Sequence, residues 1–236
     1  MSDIYEIRMR GPGMNALGTT LMRWLRNELV IAAGRPVLLT GAGAAFSAGL
    51  NLKELLSLDG EAMQRFLEDL DGLACALFDY PGPTAALING HVIAGGAILA
   101  LCCDERIAEP TDGARIGLNE VALGLRFPPR ILRIVQHRLP RLTCAEVVLG
   151  AALYTPEGAQ RVGLVHTVTA DAGDLARGKL DALHAHPAGA YAATKADLQA
   201  GVTAPRDGEH ARFVANVLPQ WTSPDLHARI RAILRR

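Results

Sequence analysis

Twice in its first 110 residues the chain runs through the same order: a short apolar run, a glycine-bearing turn, then an apolar stretch of helical character. Val37-Leu38-Leu39-Thr40 leads through Gly41 to Gly49 and on to Leu50, and Ala85 to Asn89 leads through Gly90, Gly95 and Gly96 on to Cys103. Apolar runs this short, bounded by Pro and Gly, read as strands covered on both faces, since a half-exposed strand would alternate polar and apolar side chains. Strands and helices that alternate in this way build an α/β fold.

The flanking segments fit that class. Ile4 to Met9 alternates as a half-buried strand, ended by Gly11-Pro12-Gly13. Asn15 is placed to cap an amphipathic helix in which Leu17, Leu21, Trp24, Leu25 and Leu29 recur at three- and four-residue steps. Leu50 to Leu58 and Met63 to Phe78 carry helical spacing, and Asp79-Tyr80-Pro81-Gly82-Pro83 breaks it. Further strands are expected at Asp104 to Ala108, Arg115 to Leu123 and Val162 to Val168, with mostly helix from Pro128 onward. The last helix is striped by Leu226, Ile230, Ile233 and Leu234. The expected division is a core over residues 1–185 and a helical region over 186–236 that packs on the core or on another subunit.

Composition removes several function classes. Lys plus Arg and Asp plus Glu are 24 each, so no uniform field draws in nucleic acid or an anionic membrane, and 5% aromatic residues leave few rings to stack on bases. The longest apolar runs, such as Ala97 to Cys103, fall far short of the ~20 residues of a membrane span. The start, Met1-Ser2-Asp3-Ile4, has no basic stretch followed by an apolar segment, and a cytoplasmic protein is expected. Cys75, Cys102, Cys103 and Cys144 have no metal-ligand spacing, and His184 and His186 stand two apart without a Cys or carboxylate beside them; no metal is expected.

Three constellations could carry chemistry. Gly41-Ala42-Gly43 after a strand is a fragment of a dinucleotide loop, but Phe46 stands where its third glycine belongs and no acidic residue follows at the end of a second strand. Ala45-Phe46-Ser47-Ala48-Gly49 is one residue from a nucleophile elbow, yet five loop residues separate it from its strand, and Asp181 and His184 adjoin each other in one helix. The third joins the turns Ser47 to Asn51 and Ala94 to Ala97, each of which opens a helix and so gathers free backbone N–H groups. Two such donors converging on one oxygen form an oxyanion hole. Glycines that only permit close helix packing would leave the same trace. Glu120, inside Ile116-Gly-Leu-Asn-Glu-Val-Ala-Leu-Gly-Leu125, interrupts an apolar stretch; burial there would raise its pKa and make it a competent base, whereas pairing with an Arg at a strand end would make it structural.

Taken with these turns, the chain resembles the crotonase, or enoyl-CoA hydratase/isomerase, superfamily over nearly its whole length. LTGAGAAFSAGLNLKEL, from Leu39 to Leu55, is similar to the first CoA-binding segment of that family, and INGHVIAGGAILALCCDERIA, from Ile88 to Ala108, to its second. The resemblance implies a β-β-α spiral core with a C-terminal helical region, and backbone N–H groups of Leu50 and Gly95 as oxyanion donors. It further implies Glu120 as the catalytic residue and Phe46, Ser47, Ala48, Gly49, Asn51 and Asn119 as substrate-binding residues. Hydratases of the family carry two glutamates, and the first of those positions is Ile98 here. IGLNEVALGL is similar to the mitochondrial-type Δ3,Δ2-enoyl-CoA isomerases, in which one glutamate moves every proton. The implied substrate is an acyl-CoA thioester, with no cofactor beyond the coenzyme A of that substrate, and the implied assembly is a homotrimer or dimer of trimers. An enoyl-CoA hydratase-like or other CoA-enolate reaction on the same scaffold and a non-catalytic CoA-binding role are the competing readings. Asn51 departs from the acidic residue usual after the first donor, and Leu125 to Arg130 from a glycine-rich segment.

Overall fold

In the computed structural model, which describes residues 3–235, strands alternate between two parallel sheets. The first stretch holds β1 (Tyr5–Met9), the turn α1 (Pro12–Asn15), α2 (Thr19–Ala32), β2 (Val37–Gly41), β3 (Ala45–Ser47), α3 (Leu52–Leu55) and α4 (Gly60–Phe78). The second holds β4 (Thr84–Ile88), β5 (His91–Ile93), α5 (Gly95–Cys102), β6 (Glu105–Ala108), β7 (Ile116–Gly117) and a 3-10 turn (Val121–Leu123). Helices α6 (Pro129–Arg138), α7 (Arg141–Gly150) and α8 (Pro156–Arg161) lead to β8 (Thr167–Val168). Then come α9 (Ala172–His184), α10 (Ala188–Leu198), α11 (Glu209–Asn216), α12 (Leu218–Trp221) and α13 (Pro224–Leu234).

The five-stranded sheet runs β1-β2-β4-β6-β8 and the three-stranded sheet β3-β5-β7. Each pass lays one strand in the first sheet and the next in the second: β2 then β3, β4 then β5, β6 then β7. This is the β-β-α spiral. Side chains alternate across a strand, so Leu38, Ala85 and Ile107 face α9 at Ala172, Ala176 and Leu180, while Leu39 and Ala86 join the main core on the other side. That is why β2 is buried along its whole length.

Four local expectations are corrected. Asn15 does not cap α2, whose N-cap is Gly18. Asn15 sits in a left-handed turn at φ +58, and its buried Nδ2 donates to the carbonyls of Ala42 and Ala45, pinning the glycine-rich loop. That loop, expected to be irregular from Gly41 to Gly49, contains β3. The helix expected over Leu50 to Leu58 shrinks to the single turn α3. The strand expected from Arg115 to Leu123 stops at Gly117, where a Cβ would lie 2.3 Å from the Ala152 carbonyl oxygen, and the chain then turns away.

A half-buried polar knot ties α10 to the core. Asp104, between α5 and β6, accepts hydrogen bonds from Thr84 N–H (3.0 Å), Lys195 Nζ (2.6 Å), Tyr191 OH (3.2 Å) and Arg138 Nη2 (3.2 Å). Lys195 is the one buried residue of α10.

Candidate active site

The first glycine turn is anchored from behind. Ser47 Oγ donates to the Asn15 carbonyl at 2.8 Å and accepts from Gly49 N–H at 3.3 Å. Leu17 N–H bonds the Gly49 carbonyl (2.7 Å) and Asn51 N–H bonds the Leu17 carbonyl (2.9 Å), a parallel bridge that flanks Leu50. Gly49 has φ +92, and a Cβ on it would sit 2.7 Å from the Ile93 carbonyl oxygen. Glycine therefore lets the first turn lie directly against the second.

The second turn is held the same way. Ala94, at φ +48 and ψ −118, donates its N–H to the Gly117 carbonyl and accepts from Ile98 N–H, and Gly95 then opens α5. A Cβ on Gly96 would stand 2.5 Å from the Ser47 carbonyl oxygen, so the two turns touch through backbone. Gly96→Ala is accordingly expected to cost about 1–3 kcal/mol by overpacking, read as a lowered Tm in calorimetry; an unchanged Tm would show that the contact yields freely. The N–H groups of Leu50 and Gly95 donate to no other main-chain group among the described residues, as follows for Gly95 from its place at a helix start.

Both turns open onto a cavity of about 510 Å³. Ala48, Leu50, Asn51, Gly95, Asn119 and Glu120 lie on its wall. Phe46, Ser47 and Gly49, expected among the substrate contacts, do not. Phe46 is fully buried in the core, Ser47 spends its hydroxyl on Asn15, and Gly49 spaces the two turns. Asn51 also caps α3, its Oδ1 accepting from Glu54 N–H at 3.3 Å. No triad forms at Ser47, since Asp181 and His184 belong to α9 on the outer face of the five-stranded sheet. Among the described residues no group of three or more His, Cys, Asp or Glu is arranged to hold a metal ion.

Glu120 opens the 3-10 turn Val121–Leu123, closed by Gly124 at φ +75. The residue is 5% exposed, and neither carboxylate oxygen has a hydrogen-bond partner; Asn119 Oδ1 beside it has none either. Burial lifts the Glu120 pKa from its ordinary 4.5 to about 8, and the nearby main-chain N–H of Glu120 offsets part of this without forming a well-shaped hydrogen bond. Among the described residues it is the one carboxylate on the wall, Lys53 is the one cation, and Ile98 presents an alkyl chain. The remote wall was not foreseen: Trp221 of α12 and Leu226 and Ile230 of α13 reach the cavity from the C-terminal helices. The leucine stripe of α13 was visible in the sequence, but not what it faces.

The comparisons agree with this architecture. A sequence model of the family described as "Enoyl-CoA hydratase/isomerase" matches residues 1–224. A putative enoyl-CoA hydratase of Thermus thermophilus is 33% identical over 163 residues, 67% of this chain and 63% of the relative. The mouse mitochondrial enoyl-CoA delta isomerase 1 is 28% identical over 175 residues, 71% of this chain and 60% of the relative. The chain thus matches somewhat under two thirds of these relatives' lengths. The crystal structure of human mitochondrial Δ3-Δ2-enoyl-CoA isomerase superposes with a TM-score of 0.87 at 23% identity, covering 99% of this chain and 93% of that one, and shows the same crotonase fold. No helix among the described residues is long and apolar enough to cross a membrane. The two touching glycine turns, the buried carboxylate and a family match over all but the last dozen residues together place this chain in the enoyl-CoA hydratase/isomerase family.

Proposed function

We propose that the protein is a Δ3,Δ2-enoyl-CoA isomerase acting on acyl-CoA thioesters. The observation that carries this reading is the solitary carboxylate: Glu120 is desolvated, unpaired and the one acid on the wall among the described residues, while Ile98 stands where the sequence resemblance implies the other glutamate of hydratases. Water addition needs a group to orient and deprotonate water; Ile98 supplies none.

In this reading the thioester carbonyl lies between the N–H groups of Leu50 and Gly95. Glu120 takes a proton from C2 of a 3-enoyl thioester, and negative charge moves onto the carbonyl oxygen, where the two donors stabilise it. The C3=C4 electrons are then protonated at C4 by the same Glu120, which gives the conjugated 2-enoyl thioester and returns the carboxylate to its starting state. Asn119 borders the acyl group or the base. CoA is part of the substrate, and its binding orients the acyl group.

Incubation of the purified protein with 3-enoyl-CoA, followed by the absorbance of the conjugated product, tests the proposal, with hydration of 2-enoyl-CoA assayed in parallel. Isomerisation outrunning hydration is expected; the reverse would overturn the assignment in favour of a hydratase, and binding without exchange of the C2 proton in deuterated water would favour a non-catalytic role. Because the base must be ionised and its free-state pKa is about 8, kcat/KM should rise about tenfold per pH unit up to that value and then level off. A plateau already reached at pH 6 would place the titrating group elsewhere.

The proposal includes a homotrimer or dimer of trimers in the cytoplasm. Leu142, Leu149 and Leu198 stand 70% or more exposed and would be covered by such assembly, which sedimentation velocity would read directly.

A further inference from the structure

We infer that Arg229 is a positioning residue for Glu120, and that through it α13 couples filling of the acyl end of the cavity to placement of the base; this rests on the reading of the site proposed above. No hydrogen bond holds the Glu120 carboxylate, so its position is set by its own main chain. That main chain is a tight turn: Leu123 N–H bonds the Glu120 carbonyl at 3.0 Å and Leu125 N–H bonds the same oxygen at 2.9 Å. The far end of the turn is held from α13, where Arg229 Nη1 donates to the Leu123 carbonyl at 3.0 Å. Gly124 makes that contact sterically open. It has φ +75, and a Cβ on it would lie 2.0 Å from Arg229 Nη1, so any side chain there would expel the guanidinium.

The apolar stripe of α13 that Arg229 flanks meets the cavity. Leu226, Ile230, Ile233 and Leu234 lie on the same wall system as Glu120, 510 Å³ of continuous space joining them. An acyl chain long enough to pack on these four side chains secures the helix that carries Arg229. Binding energy gathered far from the reacting carbons is then expressed at the base, in kcat as well as in KM. An acyl group too short to reach α13 forgoes this. The family match ends at residue 224, where α13 begins, so Arg229 and the cavity-facing residues of its helix lie outside the matched segment while the Glu120 turn lies inside it.

Hydrogen exchange and turnover test the inference together, on the full chain and on Arg229→Met and Arg229→Lys. With dodecanoyl-CoA as a non-reacting probe, exchange of the wild-type chain should slow in both segments 119–125 and 224–234, and butanoyl-CoA should leave 224–234 unprotected. Arg229→Met should keep the protection of 224–234 and lose that of 119–125. It should lower kcat on 3-dodecenoyl-CoA about tenfold, with KM and the effect on 3-hexenoyl-CoA each within about twofold; Arg229→Lys, which still donates to the Leu123 carbonyl, should recover most of the loss. Protection of 119–125 unchanged in Arg229→Met, or an equal loss of kcat at both chain lengths, would overturn the coupling. Failure of the wild-type chain to isomerise either substrate would instead overturn the proposed reaction, and the exchange arm, which needs no turnover, still decides the role of Arg229.

Discussion

Glu120→Gln is expected to lower kcat for 3-enoyl-CoA isomerisation by about 10³–10⁴-fold while raising stability at alkaline pH. Both effects have one cause. In the proposed reaction the same carboxylate removes the C2 proton and returns it at C4, so its loss removes general-base and general-acid action together. The amide keeps the volume and polarity of the side chain, and KM should change little. The stability effect follows from linkage. The Glu120 pKa rises from 4.5 in the unfolded chain to about 8 in the fold, so between these values the folded state binds the extra proton. The Glu120 contribution to stability is therefore fully present below pH 4.5 and is lost as pH climbs through 8, where the buried carboxylate has become charged. The whole rise corresponds to about 5 kcal/mol, an upper bound on what Gln relieves above pH 8. Paired urea titrations at pH 5 and pH 9 should show the variant gaining on the wild type only at the higher pH. Equal stabilities at both pH values would mean that the cavity solvates the carboxylate, and retained isomerisation would remove the single-base mechanism.

Asp104→Ala is expected to be the most damaging substitution away from the cavity, costing about 3–5 kcal/mol because it strands the buried ammonium of Lys195. Lys195 Nζ would keep only the Gly82 carbonyl, at 3.1 Å. Burial already pushes the Lys195 pKa below its ordinary value, with Asp104 opposing that push, so loss of the carboxylate drives the amine toward neutrality. Thr84, Tyr191 and Arg138 lose an acceptor as well. At roughly 2–4 °C per kcal/mol for a chain of this size, a Tm drop of about 10 °C is expected in calorimetry. The double variant Asp104→Leu with Lys195→Met removes the orphaned charge and should recover part of the loss. A drop confined to a degree or two in Asp104→Ala would mean that water reaches Lys195 and that α10 is held by other contacts.

Much of the fold was legible because it is written in short-range terms. Val37 to Thr40 and Ala85 to Ile88 lie in strands because their apolar runs suit no half-exposed element, and Met63 to Phe78 is helical because its apolar residues share a face. The segments misread are those decided by neighbours distant in sequence. Asn15 has the chemistry of a cap, but the carbonyls of Ala42 and Ala45 claim its amide. The stretch after Arg115 has strand composition, but Gly117 meets the Ala152 backbone and β5 offers only two partners, so the chain turns instead. Three-residue strands such as β3 and β5 carry too few side chains to show a period at all.

The candidate site divides along the same line. Leu50, Gly95 and Glu120 could be picked out because glycines before a helix and a carboxylate in an apolar run are local features with local consequences. Their meeting is not local. Leu50 and Gly95 stand 45 residues apart and are brought together only because Gly49 and Gly96 let two backbones touch. The sequence alone determined which groups could donate, and which could accept, a proton or a hydrogen bond. Tertiary structure decided that Glu120 is buried and unpaired, that Phe46 and Ser47 face away, and that α13 walls the cavity. Donor and acceptor capacity belongs to a side chain, whereas desolvation and proximity belong to whatever the rest of the chain places around it.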